Sequence, residues 1–138
     1  RYFEEMKTRI EDERLGHRLV FKGFVSNPEE VLQSAFALVR PSRENDPWGR
    51  DVIEATTFGV PVLATGSFGG VVEHGVTGSL FDPFDARAMA EKLAELLHLE
   101  ETWGAISLAA RRRGENMFSG VSQVPAVSEI FERYAAIG

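Results

Sequence analysis

The apolar residues of this chain recur with a helical period in some stretches and form short continuous runs in others. Residues 1–15 place Phe3, Met6 and Ile10 on one helical face, and Gly16 can end that helix in the left-handed region. The short apolar runs are typical of strands that are buried on both faces. The pattern therefore predicts alternating helices and strands, beginning with an amphipathic helix.

The same alternation continues to the end of the chain. Apolar runs predict strands at residues 19–25, 36–40, 60–65 and 79–81. Helical spacing predicts further helices at residues 28–35, 49–58, 102–117 and 123–136, and another directly after Asp85. Strands that are separated by helices imply a parallel sheet with crossover helices. We therefore expect an α/β fold, a Rossmann-like parallel sheet with flanking helices.

Two of the predicted helices begin with capping signals. Asn27 is expected to be an N-cap, with Pro28 at the first helical position and Glu30 completing a capping box. Asp85 is expected to cap the helix that follows it. The inward face of that later helix is predicted to carry Met89, Leu93 and either Leu96 or Leu97.

The loop at residues 41–49 is the most informative segment, because it follows a buried strand and opens a helix. The free N–H groups of that helix N-terminus, around Trp48 to Asp51, suit a phosphate or diphosphate. Gly49 allows the backbone to approach a ligand closely. Asp46 and Glu54 flank this point, and carboxylates there favour hydrogen bonds with sugar hydroxyls.

A second loop, at residues 65–73, contains Gly69 and Gly70 after another buried strand. Alone, a Gly-Gly pair is most often a tight turn. Its position at the carboxyl end of a strand also allows its N–H groups to face a ligand, since such folds bind ligands at that edge.

Composition narrows the class of partner. The net charge of −6 argues against a nucleic-acid partner, because phosphate neutralisation needs a basic face. The 138 residues include no cysteine, so no disulfide or thiolate metal site can form. No apolar run approaches the ~18 residues of a membrane span. The lack of cysteine fits a reducing compartment such as the cytoplasm, and the net charge says nothing against a small anionic ligand.

A succession of short motifs then points to one family. The chain carries, in order, Pro41-Ser42, Pro47-Trp48-Gly49, Glu54-Ala55, Gly59-Val60-Pro61-Val62, Gly69-Gly70, Glu73 and Gly75-Val76-Thr77-Gly78. This order resembles the retaining GT-B glycosyltransferases of the large E-x7-E group-1 (family 4) type. The resemblance implies that residues 1–138 are the nucleotide-sugar (donor) binding domain, the C-terminal half of a GT-B fold.

The resemblance also implies what lies outside this chain. The acceptor-binding domain, the first βαβ unit of the donor domain and an Arg/Lys pair are expected upstream of Arg1. We therefore expect the isolated chain to be inactive, and an open sheet edge there would favour dimerisation.

The family resemblance assigns roles to particular residues. Asp46 and Glu54 are implied to be the catalytic acids, with Glu54 holding the ribose hydroxyls of the nucleotide. The implied donor-binding residues are Gly23, Val25, Ser42, Pro47, Trp48, Gly49, Arg50, Phe68, Gly69, Gly70 and Glu73. In one respect the chain departs from the family pattern: Asp46 stands where the first glutamate is usual. A changed donor, or a loop remodelled so that Glu44 serves instead, stays open.

The implied reaction transfers a sugar from a nucleoside-diphosphate sugar to an acceptor hydroxyl with retention of configuration. No metal or other cofactor is expected, and Asp82 with Asp85 is better explained by a turn and an N-cap than by a metal site. The acceptor is expected to be a glycan or a lipid bound through the upstream domain. Contact with the cytoplasmic face of a membrane is a further expectation, to which the basic run Arg111–Arg113 could contribute.

Other interpretations of the same residues stay open. A non-catalytic nucleotide-sugar-binding or scaffold module of GT-B ancestry is the main alternative. A Rossmann domain for another nucleotide lacks a G-x-G-x-x-G motif after its first strand, and the motif order does not match a GT-B epimerase. The run Arg111–Arg113 is expected to be mainly a solvated helix face. His74 is expected to be packed or solvated, and Trp103 to belong to the core.

Overall fold

The computed structural model describes residues 1–135, which form six helices and a three-stranded sheet. The elements are α1 (Tyr2–Asp12), α2 (Pro28–Gln33), β1 (Leu38–Arg40), α3 (Arg50–Phe58), β2 (Val62–Thr65), β3 (Gly78–Phe81), α4 (Ala86–His98), α5 (Glu100–Phe118) and α6 (Gly120–Ala135). The predicted α/β class with a parallel sheet is confirmed.

The sheet has the order β1-β2-β3, and both strand pairs are parallel. Leu38 pairs with Val62, and Val62 with Gly78, so the three strands start in register and end at the same edge. All four residues of β2 are buried, as expected of a central parallel strand whose two faces are both covered.

The core lies on both faces of β2, because successive side chains of a strand point to opposite sides. Val62 and Ala64 pack with Val52 and Ala55 of α3 on one face. On the other face, Leu63 packs in a cluster with residues of α4 and α5, namely Met89, Leu96 and Ile106. Leu96 is buried and Leu97 exposed, which settles the alternative left open by the spacing.

Helices α3 and α5 approach closely through small residues. Ala110 is fully buried, and a Cβ added to Gly114 would lie 2.6 Å from the Cα of Thr57. Gly59 ends α3 in the left-handed region, with φ of 74°, and a Cβ there would lie 3.0 Å from the carbonyl oxygen of Ser107. The backbones of the two helices are therefore almost in contact.

The predicted strand at residues 19–25 is wrong. This segment is irregular, and its side chains are largely exposed, Phe24 by 95%. A strand is stabilised by hydrogen bonds to a neighbour, and within residues 1–135 the sheet ends at β1 without reaching this segment. Phe21 instead packs edge-on against Phe3 of α1, with ring centroids 5.0 Å apart. Phe21 therefore contacts a helix and not a neighbouring strand.

Helix ends agree with the sequence less well than helix positions do. α1 ends at Asp12, and the left-handed residue after it is Arg14, with φ of 55°, so Gly16 does not end the helix. Pro28 begins α2 as predicted. However, the Asn27 side-chain amide caps no backbone N–H group of α2. It donates instead to the Glu30 carboxylate at 2.6 Å, so a hydrogen bond between the two side chains replaces the predicted capping box.

The later helices follow the predictions more closely. Asp85 caps α4 as expected, its carboxylate accepting a bond from the Ala88 N–H at 3.0 Å. The two predicted C-terminal helices are confirmed as α5 and α6, each beginning two or three residues earlier than predicted. Residue 136, the predicted end of the last helix, lies outside the described residues.

The α3–α5 contact yields a stability prediction. Replacing Gly114 with Ala inserts a methyl group against the Thr57 backbone, so we expect the free energy of unfolding to fall by about 1–3 kcal/mol. Gly104→Ala on the same helix meets nothing within 4 Å and should stabilise the protein by about 1 kcal/mol. Urea denaturation of both variants measures the difference, and equal effects would contradict the close packing.

Candidate functional site: two loops at the carboxyl edge of the sheet

Two loops follow neighbouring parallel strands and meet at one edge of the sheet. The motif loop, residues 41–49, connects β1 to α3, and the glycine loop, residues 66–72, follows β2. Hydrogen bonds join their bases: the Ser42 N–H donates to the Thr65 hydroxyl at 2.7 Å, and that hydroxyl donates to the Ser42 carbonyl at 2.9 Å. This edge is where open α/β sheets bind ligands.

A second set of contacts joins the loops further out. The Asn45 side chain accepts a bond from the Ser67 N–H at 2.8 Å and donates to the Ser67 hydroxyl at 3.0 Å. Gly66 has φ of 133°, and a Cβ there would lie 2.5 Å from Cδ of Pro47. Only glycine fits this position without strain, because both the backbone conformation and the close approach of the buried Pro47 exclude a side chain.

Arg40, the last residue of β1, holds the motif loop against α3. Its Nη1 donates to both carboxylate oxygens of Asp51, at 2.7 and 2.9 Å, and its Nη2 donates to Asp46 Oδ2 at 2.9 Å. Hydrogen bonding to Asp51, more than to Asp46, raises the pKa of the Arg40 guanidinium above its ordinary value, against the opposing effect of burial. Asp46 is thus held by a half-buried cation.

Arg40 is not among the site residues predicted from the sequence. The available signal was an arginine at the end of an otherwise apolar strand, followed by a loop with acidic residues. A charged residue in that place is costly unless it is paired. The pairing partners could not be chosen from the sequence, since Glu44, Asp46 and Asp51 all lie within reach along the chain.

The N-terminus of α3 is open to a ligand. Gly49 is the N-cap residue, and no side chain caps the helix, so its first N–H groups lack intrahelical partners. A Cβ on Gly49 would lie 2.8 Å from Arg40 Nη1 and 2.7 Å from Asp51 Oδ1. Glycine at this position therefore leaves room for the Arg40–Asp51 ion pair.

Glu54 lies one turn into α3 and binds a different arginine from Asp46. Its carboxylate accepts a bond from Arg50 Nε at 2.6 Å. The Glu54 side chain is 21% exposed, whereas that of Arg50 is 86% exposed. The hydrogen bond to Glu54 raises the pKa of Arg50 above its ordinary value. The carboxylate is thus sheltered behind a side chain that is free to move in solvent.

Two aromatic rings project from the loops. Trp48 and Phe68 are each about half exposed, with ring centroids 6.5 Å apart. They border a cavity of about 350 Å³ that Gly70, Val71 and Met117 complete. The Phe68 ring lies directly over Gly70, where a Cβ would be 2.2 Å from its Cζ. Trp48 is therefore part of the exposed surface of the motif loop.

Arg113 of α5 reaches the glycine loop, contrary to the expectation of a solvated face. Its Nε donates to the Val71 carbonyl and its Nη2 to the Gly70 carbonyl, both at 2.7 Å. Arg111 and Arg112 are exposed, as predicted. The expectation is wrong for Arg113 because α5 lies so close to α3 that one of its faces borders the loop.

The remaining predicted site residues lie in two places, at the loops themselves and in the segment between α1 and α2. Glu73 follows the glycine loop and is exposed, and Glu44 is also exposed within the motif loop. Gly23, with φ of 65°, and Val25 lie in the irregular segment between α1 and α2. Among residues 1–135, no hydrogen bond joins that segment to either loop, and the roles of these two residues stay predictions.

Several side chains outside the loops have structural roles. The His74 Nδ1 accepts a bond from the Leu80 N–H at 2.9 Å and the residue is exposed, which agrees with the expectation of a packed or solvated histidine. Trp103 is half-buried, stacks on Phe36 and donates to its carbonyl at 2.8 Å. It belongs to the margin of the core, which it borders beside Leu63 and Leu96.

A larger apolar cavity, of about 580 Å³, lies between α4 and the start of the motif loop, whose residues Pro41, Ser42 and Arg43 line it. Its lining also includes Val39, Thr65, Phe84, Met89 and Leu93.

In the described part of the chain, no cluster of three or more His, Asp or Glu side chains could hold a metal ion. None of the helices in residues 1–135 combines the length and apolarity that a membrane span requires.

The Arg40 contacts can be tested by stability measurements. Arg40→Met leaves Asp46 and Asp51 without their shared cation, so we expect the free energy of unfolding to fall by about 1–2 kcal/mol, allowing for partial solvent screening. Arg87→Met removes an exposed pair with Glu91 and should change little. Equal urea midpoints for the two variants would show that Arg40 does not hold the loop.

Comparison with known proteins identifies the family of this chain. A family model for glycosyl transferases group 1 matches residues 1–113. Sulfoquinovosyl transferase SQD2 of Arabidopsis thaliana is 36% identical over 108 residues, which are 72% of this chain and 21% of that protein. The chain therefore spans about a fifth of the length of that relative.

Solved structures show the same architecture. Anabaena Alr3699/HepE, solved with UDP, superposes with a TM-score of 0.88 at 25% identity over 96% of this chain and 37% of that one. The C-terminal domain of a group 1 glycosyl transferase (LpcC) from Francisella tularensis superposes with a TM-score of 0.74 at 18% identity, over 86% of this chain and 63% of that one, and shows the fold alone. The expected GT-B type of fold is confirmed, and the chain belongs to the group 1 glycosyl transferases.

Proposed function

We propose that this chain is the donor-binding domain of a longer retaining glycosyltransferase, which transfers a sugar from a nucleoside-diphosphate sugar to an acceptor hydroxyl. One observation carries the proposal. The open N-terminus of α3 and the glycine loop lie side by side at the carboxyl edge of the sheet, and both offer unpaired backbone donors next to carboxylates. This combination suits a diphosphate joined to a polyol.

The diphosphate would be bound by backbone N–H groups. Those of Trp48, Gly49 and Arg50 lie at the positive end of the α3 dipole. Phe68, Gly69 and Gly70 would contribute N–H groups from the opposite loop. The solved complex of Anabaena Alr3699/HepE with UDP, and another with UDP-glucose, support this ligand class. The base would lie near Gly23 and Val25, and Ser42, Pro47 and Glu73 would border the donor.

Glu54 would bind the ribose hydroxyls of the nucleotide. Its carboxylate now accepts a bond from Arg50, whose exposed side chain can leave without disturbing the fold. A carboxylate that accepts two hydroxyl groups then replaces one salt bridge with two charge-assisted hydrogen bonds. The half-buried position of Glu54, one turn into α3, keeps it close to the proposed diphosphate site.

Asp46 would contact the donor sugar, as the first acid of the family's pair does. It is shorter by one methylene than the usual glutamate, and Arg40 holds its carboxylate at 2.9 Å. That ion pair orients Asp46 and partly neutralises it. Glu44 is exposed in the same loop, and it is the other candidate for this role.

In the proposed reaction the acceptor oxygen forms a bond with the anomeric carbon on the face from which the diphosphate departs, so configuration is retained. The bond between the anomeric carbon and the phosphate oxygen breaks, and the acceptor proton passes to the departing phosphate. Backbone donors at α3 and at the glycine loop stabilise the developing charge without a metal ion. The acceptor, a glycan or a lipid, would be bound by another part of the polypeptide, at the cytoplasmic face of a membrane if it is a lipid.

Nucleotide binding tests the first half of this proposal. Titration of the complete polypeptide with UDP, GDP and ADP by calorimetry should reveal binding of at least one of them. Glu54→Ala should weaken that binding by about 1.5–3 kcal/mol if the carboxylate holds both ribose hydroxyls. Glu91→Ala, in an exposed ion pair on α4, is the matched control and should bind normally. Failure of all three nucleotides to bind would refute the donor-binding proposal.

Turnover tests the second half. Asp46→Asn removes the charge and keeps the shape, so it should leave nucleotide affinity unchanged and lower kcat by at least roughly tenfold, because a transition-state contact is lost. The parallel variant Glu44→Gln should retain activity. If Glu44→Gln is the impaired variant instead, Glu44 is the first acid. Binding without turnover in the wild type would favour the scaffold alternative.

A further inference from the structure

We propose that Arg113 is a positioning residue that holds the glycine loop with its N–H groups turned toward the diphosphate. This role rests on the proposed function. It adds a residue of α5, which lies outside the two loops, to the proposed diphosphate site. The residue belongs to the Arg111–Arg113 run, whose other two members are exposed.

The guanidinium of Arg113 binds several backbone carbonyls of the glycine loop at once. Its Nε donates to Val71 O at 2.7 Å, and its Nη2 donates to Gly70 O at 2.7 Å and to Gly69 O at 3.2 Å. Its Nη1 lies 3.5 Å from the Glu73 carboxylate, at the end of the loop. Three successive carbonyl groups are therefore held by one planar cation.

Because peptide groups are planar, the binding of the loop carbonyls by Arg113 also determines where the neighbouring N–H groups point. A trans peptide is planar, and the C=O of one residue points opposite to the N–H of the next. Carbonyls of Gly69 and Gly70 that face Arg113 therefore turn the N–H groups of Gly70 and Val71 away from it. Within residues 1–135, the N–H group of the half-buried Gly70, one of the donors proposed to bind the diphosphate, has no hydrogen-bond acceptor, so it remains free for a ligand.

The position of Arg113 is fixed by the neighbouring residue. Gly114 brings α5 against the backbone of Thr57 in α3, where a Cβ would be 2.6 Å from Cα. One helix thus packs on α3, whose N-terminus forms half of the site, and binds the loop that forms the other half. The spacing between the two sets of backbone donors is set by α5.

The chemistry of the side chain matters as much as its charge. Arginine presents several donors in a rigid plane, whereas the lysine ammonium is a single compact centre on a flexible stem. The guanidinium also places a positive charge behind the carbonyls and polarises their peptide groups, which strengthens N–H donation to an anion. Lysine at this position would keep the charge but could not hold three carbonyls in one plane.

The test compares Arg113→Lys and Arg113→Gln with Arg112→Gln, an exposed neighbour on the same helix. In the complete polypeptide, the affinity of each variant is measured for UDP, GDP and ADP and for the matching nucleosides, by calorimetry and ligand-observed NMR. We expect both Arg113 variants to lose at least roughly tenfold in affinity for the diphosphate, while nucleoside affinity stays unchanged. Arg112→Gln should match the wild type for every ligand.

The outcomes separate the two proposals. If the wild type binds no nucleotide, the donor-binding function fails. If the wild type binds a nucleotide and Arg113→Lys binds the diphosphate equally well, only the positioning role is overturned. A parallel loss of nucleoside affinity, or failure of both Arg113 variants to fold as judged by urea unfolding, would assign Arg113 to the fold and also overturn the inference.

Discussion

The parallel pairing of β2 with both of its neighbours is the constraint on which the rest of the structure depends. All four residues of β2 are buried, so the strand must be covered on two faces, by α3 on one side and by α4 and α5 on the other. Because β1 and β2 run parallel and in register, the loops that follow them leave the sheet at the same edge. The meeting of the motif loop with the glycine loop is a consequence of this packing, and the hydrogen bonds between Ser42 and Thr65 and between Asn45 and Ser67 then lock it.

Two arginines from outside the loops bind polar groups at this edge of the sheet. Arg40 ends β1 and binds Asp46 and Asp51, while Arg113 comes from α5 and binds three carbonyls of the glycine loop. Both arginines are half-buried. Arg40 pairs with carboxylates that would otherwise repel an anion, and Arg113 binds carbonyl groups that would otherwise lack a partner on that side of the loop. The site consequently presents backbone donors to a ligand although the chain as a whole carries a net charge of −6.

Much of the fold could be predicted from sequence because its signals are local. Apolar runs located β1, β2 and β3, and Pro28 and Asp85 marked helix starts through the chemistry of the first turn. The predicted strand at residues 19–25 failed because a strand also needs a partner, which no local pattern reveals. Arg40 and Arg113 were missed or misinterpreted for the same reason. Their partners lie in other elements, and only the close α3–α5 packing at Gly114 determines which arginine of a basic run meets the loop. The roles of Asp46 and Glu54 depend on a ligand and stay predictions.

Gly66 and Gly70 are glycines for different reasons, and this sets different limits on how the loop could evolve. Gly70 is excluded from bearing a side chain by one neighbour, the Phe68 ring that rests on it. A smaller residue at position 68 would release that restriction, so the two positions are free to change together. Gly66 combines φ of 133° with contact to Pro47, and no single compensating change removes both obstacles. Substitution of Gly70 can therefore be tolerated if residue 68 changes with it, whereas Gly66 is expected to stay glycine.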